Sequence, residues 1–283
     1  MQTRSQFARI ALLAGAGLAA LALAACGDDD NGSDSSKSQP RALNVTLGAD
    51  GKLTGVEPTK SGLTKITFTN QAKGGYDLQL VKVDGDQTID QVLKITTAEE
   101  PSEIPGWLHG AGGIGTIEGG KSSTSTQVLD GGKYYLLAEP DEDGKPVTAP
   151  LQVTGGKGSG TLPATTANVT ASEYTFKTSG LKSGNQQIEL DNAGQELHHA
   201  IFFPVKQGAT LAQVKKFFQT EKGEPPIDES RQVSSTAVLD GGGKQVFQGT
   251  LRPGKYALVC FLTDRSGGPT HVAKGMIAEV DVT

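Results

Sequence analysis

The C-terminal segment Lys255-Tyr256-Ala257-Leu258-Val259-Cys260-Phe261-Leu262, which continues through a glycine-rich stretch to His271 and Met276, decides how this chain is interpreted. Its apolar and β-branched residues predict a buried strand that ends in a thiol, followed by a polar loop. Thiolate, imidazole and thioether are donors that copper prefers, and two histidines with one cysteine and a weak axial methionine make a type 1 copper site. The segment therefore indicates either such a site or a β-domain that simply buries a core cysteine.

The first residues of the chain have the pattern of a bacterial lipoprotein signal. Arg4 and Arg9 precede a short apolar run, which predicts a secretory signal that is too short to span a membrane comfortably. The sequence Leu23-Ala24-Ala25-Cys26 resembles a lipobox, and this resemblance implies cleavage before Cys26 and lipidation of its thiol. We therefore predict a signal peptide over residues 1–25 and an extracytoplasmic protein anchored to the bacterial cell membrane through Cys26.

The residues that follow the signal are polar and offer nothing to bury. Residues 26–41 contain three consecutive aspartates and a Ser-, Gly- and Lys-rich run, so we predict a disordered tether. If Cys26 carries the lipid, Cys260 has no partner for an intramolecular disulfide. A lone thiol in an exported protein is either buried as a small apolar side chain or bonded to a metal.

Charge and composition narrow the class of protein. The formal net charge is −5, and it becomes −7 when Arg4 and Arg9 leave with the signal peptide. A mildly acidic chain without basic blocks argues against nucleic acid, or an anionic membrane surface, as a partner. Glycine is abundant, with 38 residues, and only 5% of residues are aromatic. This composition is typical of an all-β protein with many turns.

The chain repeats itself at a spacing of 122 residues, and the repeat predicts the architecture. Each copy contains segments of alternating hydrophobicity and one short amphipathic helix, near residues 88–95 and 210–218. We therefore predict two tandem Greek-key β-sandwiches, over residues 42–154 and 168–283, with a Gly-rich linker at 155–167. The matching segments are Gly62–Asn70 with Gly184–Asn192, Tyr76–Val83 with His198–Val205, and Leu129–Tyr134 with Leu251–Tyr256.

Two glycine-rich motifs in the first copy imitate phosphate loops. Gly110 to Gly115 fits G-x-G-x-x-G, and Gly115 to Ser122 fits the P-loop pattern. A phosphate loop needs a helix N-terminus after it, whereas Ser123–Val128 is a polar, β-branched run. We interpret these glycines, and the neighbouring His109, as loop residues and predict no bound nucleotide. The absence of a G-x-S-x-G elbow, and the apolar strand around Cys260, argue against an enzyme.

The second copy resembles the cupredoxins, the blue copper family. Asn192-Ala193-Gly194, followed by His198-His199 and an apolar run, resembles the first ligand segment of that family. The segment from Tyr256 to Met276 resembles the C-terminal ligand loop, with Cys, His and Met in the family's order. The resemblance covers residues 168–283, and the chain also looks like actinobacterial-type lipoproteins with cupredoxin-like domains. This resemblance implies a cupredoxin-like fold and one copper ion in the second domain.

The same resemblance implies a ligand set. His198 would be the first imidazole ligand, Cys260 the thiolate, His271 the second imidazole and Met276 the axial thioether. His199 is the alternative to His198, although strand alternation points two adjacent residues to opposite faces. At the four matching positions the first copy has other residues, so all the candidate ligands are absent together: Tyr76, Ala138, Ala149 and Thr154.

The spacing between two of these ligands departs from the family pattern. Ten residues separate Cys260 from His271, where the familiar loop has two to four. Asp264 to Gly268 make this loop polar, and we predict a hairpin that either returns His271 to the site or leaves it on the surface.

We therefore predict a lipid-anchored copper protein that is not an enzyme and serves electron transfer or copper handling with a redox or copper-exchange protein partner. The first domain would be a metal-free scaffold or docking module. The alternative is a metal-free, cupredoxin-like binding or structural lipoprotein.

Overall fold

A computed structural model describes residues 39–98, 103–141, 144–220 and 222–283. The predicted signal peptide, Cys26 and all but the last three residues of the predicted tether lie outside these ranges. No helix in the described part of the chain is both long and apolar enough to cross a membrane.

The N-terminal half, residues 39–154, is built from short strands and one helix. These are β1 (Arg41–Leu47), β2 (Leu53–Thr54), β3 (Thr59–Lys60), β4 (Gly62–Asn70), β5 (Tyr76–Val83), α1 (Ile89–Thr96), β6 (Leu108–Ile117), β7 (Lys121–Leu129), β8 (Gly132–Ala138) and β9 (Val147–Thr154).

The C-terminal half, residues 155–283, follows the same plan and adds a small hairpin. Its elements are β10 (Ala167–Ser172), β11 (Thr175–Ser179), β12 (Gly184–Asn192), β13 (Ile201–Pro204), α2 (Leu211–Thr220), β14 (Ser234–Ser235), β15 (Lys244–Leu251), β16 (Gly254–Val259), β17 (Thr263–Asp264), β18 (Gly267–Thr270) and β19 (Ile277–Val282).

Equivalent strands of the two halves pair in the same way. β1 runs parallel to β4, which is antiparallel to β7. Likewise, β10 runs parallel to β12, which is antiparallel to β15. The helices also begin alike: the hydroxyl of Thr88 accepts the Gln91 N–H at 3.4 Å, and that of Thr210 accepts the Gln213 N–H at 3.3 Å. These side chains provide partners for backbone donors that the first helical turn cannot satisfy.

One sheet runs through both halves of the molecule. It has the order β11-β10-β12-β15-β7-β4-β1-β2, and it is continuous because β7 pairs with β15 over residues 125–127 and 245–247. The sheet β3-β9-β8-β5-β6 belongs to the N-terminal half, and the sheet β14-β13-β16-β19 to the C-terminal half. The prediction of an all-β sandwich is confirmed. The shared sheet was not predicted.

Strand alternation creates separate apolar clusters in the two halves, two in each. Along β10 every second residue is buried, so Val169 faces the core while its neighbours face outward. Val169 and Leu190 of the large sheet pack in one cluster with Leu258 of the smaller sheet. Complete burial of such a side chain contributes about 1.5–3 kcal/mol. Cys260 and Met276 belong to this same cluster.

Four glycines of the phosphate-loop look-alikes, at positions 110, 112, 113 and 115, lie in strand β6, so their interpretation as loop residues is wrong, whereas Gly119 and Gly120 lie in the turn before β7, as predicted. A Cβ atom on Gly113 would lie 1.9 Å from the carbonyl oxygen of Leu78, and one on Gly115 would lie 1.9 Å from that of Ser235. Glycine is required because β6 passes very close to its own sheet and to the C-terminal half. Strand β7 begins at Lys121, where a phosphate loop would need a helix.

Candidate metal centre

Cys260 directly follows β16, the strand that lies between β13 and β19 in the smaller C-terminal sheet. Its side chain has no exposed surface. Its carbonyl oxygen accepts a hydrogen bond of 2.9 Å from the N–H of Val272, one residue beyond His271. The end of β16 and the segment that carries His271 are therefore held side by side.

His198 lies just before β13 and is held by the segment that contains Leu239. The two residues exchange backbone hydrogen bonds of 3.0 and 2.9 Å. The side chain of Asn192 donates to the carbonyl oxygens of Glu196 at 2.8 Å and Leu239 at 2.9 Å, and accepts the N–H of Gly194 at 3.0 Å. This buried amide closes the Asn-Ala-Gly turn and so fixes the position of His198, which follows the turn.

The ten-residue excursion forms the hairpin of β17 and β18 and returns His271 to the site. The N–H of His271 donates to the carbonyl oxygen of Leu262 at 2.7 Å, which closes the base of the hairpin. His271 is fully buried, so the loop returns it to the site and does not leave it on the surface. Met276 is also fully buried, and its N–H donates to the carbonyl oxygen of His271 at 2.8 Å.

Three donor atoms converge at this point. The Sγ atom of Cys260 lies 3.8 Å from Nδ1 of His198 and 3.5 Å from Nδ1 of His271, and the two Nδ1 atoms are 3.1 Å apart. A tetrahedral ion with the bond lengths of zinc separates its nitrogen donors by roughly 3.3 Å, and nitrogen from sulfur by roughly 3.5 Å. The observed separations therefore match a preformed site for one metal ion. Among the described residues this is the one group of three or more His, Cys, Asp or Glu side chains with that geometry.

The outward nitrogen of each imidazole faces a carboxylate. Nε2 of His271 lies 3.1 Å from Oδ1 of Asp264, and Nε2 of His198 lies 3.6 Å from Oε1 of Glu173. A carboxylate at this position favours the Nε2–H tautomer, which turns the Nδ1 lone pair inward. Two buried acceptors then lie 3.1 Å apart with only the Cys260 S–H proton to share. A metal cation would satisfy all three atoms.

Burial decides the protonation states of the donors. It raises the pKa of the Cys260 thiol to about 12. Burial, with the neighbouring His198 as the second cause, lowers the pKa of His271 to about 4, and burial also lowers the pKa of His198. At neutral pH both imidazoles are therefore neutral and ready to bind a metal, whereas the thiol must release its proton when a metal binds.

A polar cluster covers the outer edge of His271. The hydroxyl of Tyr174 donates to Asp264 at 2.9 Å, and Lys274 donates to both Asp264 and the Tyr174 hydroxyl. The ring of Tyr174 packs 5.2 Å from that of His271, measured between centroids. This cluster leaves the imidazole no exposed surface.

Sequence reasoning did not identify Glu173, Tyr174, Asp264 or Lys274 as part of the site. Asp264 was noted only as a polar loop residue, and Tyr174 lies 90 residues before its partner Asp264. A carboxylate that meets a histidine across a fold has no motif or spacing that could reveal it.

His199 is not part of the donor set. Its Nε2 accepts the backbone N–H of Phe261 at 3.1 Å, so the ring supports the chain next to Cys260. The structure thus brings together His198, Cys260 and His271 and leaves His199 outside. His109, interpreted from sequence as a loop residue, lies instead on β6, with its ring nitrogens 2.7 Å from Asp240 and 2.9 Å from Asp84.

No protein-family model matches the chain, and no curated protein matches it. Among solved structures, it is similar to auracyanin from the photosynthetic bacterium Roseiflexus castenholzii, at 19% identity and a TM-score of 0.28, over 42% of this chain and 98% of that one. It is also similar to auracyanin B, at 22% identity and a TM-score of 0.27, over 44% of this chain and 91% of that one. It is similar as well to a multicopper oxidase, at 13% identity and a TM-score of 0.23, over 86% of this chain and 89% of that one. These likenesses are distant.

Proposed function

We propose that this chain is a copper protein with one type 1-like site in its C-terminal half, that it transfers electrons and that it is not an enzyme. The observation that supports this function is the convergence of three buried donor atoms from His198, Cys260 and His271. Two imidazoles and one thiolate in this arrangement are the donor set of blue copper sites.

Electron transfer is favoured over copper handling because the ligands are buried and held before any metal binds. His198 and His271 have no exposed surface, and each lies in a segment with paired backbone hydrogen bonds. Copper bound here would supply a one-electron Cu(I)/Cu(II) couple. A scaffold that holds both imidazoles and the thiolate in one geometry keeps reorganisation small, whereas rapid copper exchange needs an accessible ligand.

Met276 is proposed as the weak axial ligand. It is fully buried and packs in the same apolar cluster as Cys260, and its backbone is hydrogen-bonded to His271. A thioether in this place would adjust the reduction potential rather than provide most of the affinity.

The proposed location is the outer face of a bacterial cell membrane, with a protein redox partner. The lipobox-like sequence that ends at Cys26, and the polar residues after it, support a lipid anchor on a tether. Globomycin-sensitive maturation of the full chain, and its loss in Cys26→Ser, would test the anchor.

The direct test is to express residues 27–283 and add Cu(II). We expect one equivalent of copper and an intense visible band from charge transfer between the Cys260 thiolate and the metal. Cys260→Ser and His198→Ala should abolish the band, whereas His199→Ala, the matched control, should retain it. Zinc binding without any copper band, or no metal binding at all, would contradict the proposal and favour the metal-free alternative.

A second measurement separates electron transfer from copper handling. A small-molecule Cu(I) chelator should remove copper from the folded protein over hours, while an oxidant such as ferricyanide should oxidise the site within the mixing time. Release of copper within seconds would instead favour a role in copper handling.

A further inference from the structure

The segment that pairs with His198 and the hairpin that precedes His271 both contact the N-terminal half. The segment Val238–Asp240, which pairs with His198, is bonded on its other side to that half. The N–H of Gly112 donates to the carbonyl oxygen of Val238 at 2.9 Å, and the N–H of Asp240 donates to that of Gly110 at 2.8 Å. The amide of Gln79 accepts the Val238 N–H at 2.7 Å. His198 is thus one hydrogen-bonded segment away from β6.

The hairpin that precedes His271 packs on the same half. Arg265, next to Asp264, donates through its guanidinium to the carbonyl oxygens of Pro105 at 3.2 Å and Leu108 at 3.1 Å. Its own carbonyl oxygen accepts the N–H of Ile104 at 2.7 Å. The tip of this hairpin is therefore anchored by the N-terminal half.

Asp240 joins the two segments. One carboxylate oxygen accepts the Arg265 guanidinium at 2.7 Å, and the other lies 2.7 Å from Nδ1 of His109 in the N-terminal half. The backbone N–H of Arg265 also donates to Glu196 at 2.7 Å, two residues before His198. Arg265 and Asp240 are only about one-quarter exposed, with 24% of each side chain accessible, so this pair is weakly screened.

We propose that the N-terminal half acts as a clamp on the metal centre, and that Arg265 is the positioning residue through which it holds the His271 hairpin against the His198 segment. A free ten-residue excursion would sample many conformations, and closing it costs entropy. The four hydrogen bonds of Arg265 to the N-terminal half and Asp240 restrict these conformations. This explains why a long loop can hold His271 at a defined distance from Cys260.

The test compares Arg265→Ala with Arg252→Ala, an exposed arginine of the same half, in the metal-free chain of residues 27–283. The readout is amide hydrogen exchange. In Arg265→Ala we expect the amides of His271 and Val272 to exchange at least tenfold faster, with the β12 amides unchanged. The Cys260 thiol should also react faster with a small disulfide reagent.

A variant in the other half makes the test independent of the hairpin itself. His109→Ala leaves the hairpin unchanged and removes the side-chain partner of Asp240 in the N-terminal half, together with a contact to Asp84, and it should accelerate the same amides by a smaller factor. Ser235→Ala, which removes a contact of 3.0 Å to the N–H of Thr116 elsewhere between the halves, should not. If Arg265→Ala fails to fold, His109→Ala still tests whether the N-terminal half holds the His271 hairpin.

One spectroscopic expectation of the clamp rests on the proposed function. With copper bound, Arg265→Ala and His109→Ala should shift the visible band and the reduction potential, whereas Arg265→Lys should restore part of the change. The clamp is overturned if the amide exchange rates and thiol reaction rates of Arg265→Ala and His109→Ala lie within twofold of those of Arg252→Ala and the spectra are the same. If the unmutated chain binds no copper, the copper proposal fails, and the metal-free readouts still decide the clamp.

Discussion

At the scale of single residues, the site depends on which nitrogen of each histidine carries the proton. Asp264 and Glu173 stand at the outward nitrogens of His271 and His198, and the inward nitrogens are left as lone pairs 3.1 Å apart. Without a metal this arrangement is poorly satisfied, because neither imidazole can donate to the other. The donor set is therefore arranged for a cation rather than for packing.

The depressed pKa of His271 predicts how the stability of the metal-free protein depends on pH. In the folded state this pKa is about 4, against an ordinary value of 6.5, so between these values the unfolded chain binds more protons. The free energy of unfolding should therefore be fully retained above pH 6.5 and fall as pH drops toward 4, by roughly 3 kcal/mol at most. Urea unfolding at several pH values, compared with His271→Gln, measures this difference. An equal pH dependence in the variant would contradict it.

The axial position yields a second prediction at this scale. Met276→Leu keeps the buried volume but removes the thioether donor, so we expect a higher reduction potential with little change in fold. Cyclic voltammetry and the visible spectrum measure the effect. Met276→Gln, which offers a stronger donor, should shift the potential in the opposite direction. Equal potentials in both variants would show that this side chain is not a ligand.

At the scale of elements, the turn before His198 positions the first ligand. The buried amide of Asn192 makes three hydrogen bonds there. The equivalent Asn70 of the N-terminal half makes the same kind of bonds, at 3.0 Å, to Gly74, Ile117 and Ala72, but no metal ligand follows it. The repeat thus contains one turn with a ligand and one without.

This pair of turns makes a matched prediction. Asn192→Ala and Asn70→Ala should each lower the free energy of unfolding by about 2–3 kcal/mol, because backbone groups are left buried without partners. Asn192→Ala should in addition weaken copper binding, whereas Asn70→Ala should not. Titration with copper alongside denaturant unfolding separates the two effects. Equal copper affinity in both variants would show that the turn does not position His198.

At the scale of the whole molecule, the two halves share a sheet, and the hairpin of the metal site packs on the N-terminal half. Gln127 of β7 and Gln245 of β15 face each other at the junction, and both are buried. The amide of Gln127 donates to the carbonyl oxygen of Ala111, and that of Gln245 accepts the N–H of Gly113, so both side chains also bond to β6. A sheet shared in this way should couple the halves in unfolding.

We therefore expect both halves to unfold in one transition. Trp107, the single tryptophan, reports on the N-terminal half, and the visible copper band reports on the C-terminal half. Thermal or denaturant curves recorded by tryptophan fluorescence and by the copper band should coincide. Two separate midpoints would show that the shared sheet does not couple the halves.

The sequence alone determined the class of fold and the chemical types of the donors. Period-2 alternation, the 122-residue repeat and the order of Cys260, His271 and Met276 are local or periodic features, and such features survive in a linear chain. They predicted the all-β sandwich and named two of the three side chains that converge, Cys260 and His271. They did not decide between His198 and His199 as the third, nor whether the long loop returned to the site.

Only the tertiary structure decided those points, together with the shared sheet and the environment of the ligands. Tyr174 reaches His271 from a distant part of the chain, the fold brings Glu173 to His198 and Asp264 back onto His271, and Arg265 joins the His271 hairpin to the N-terminal half. Contacts of this kind depend on how strands from different segments pack, and no residue spacing encodes them. Side-chain types show which metal a protein prefers, but packing alone shows whether the donors meet.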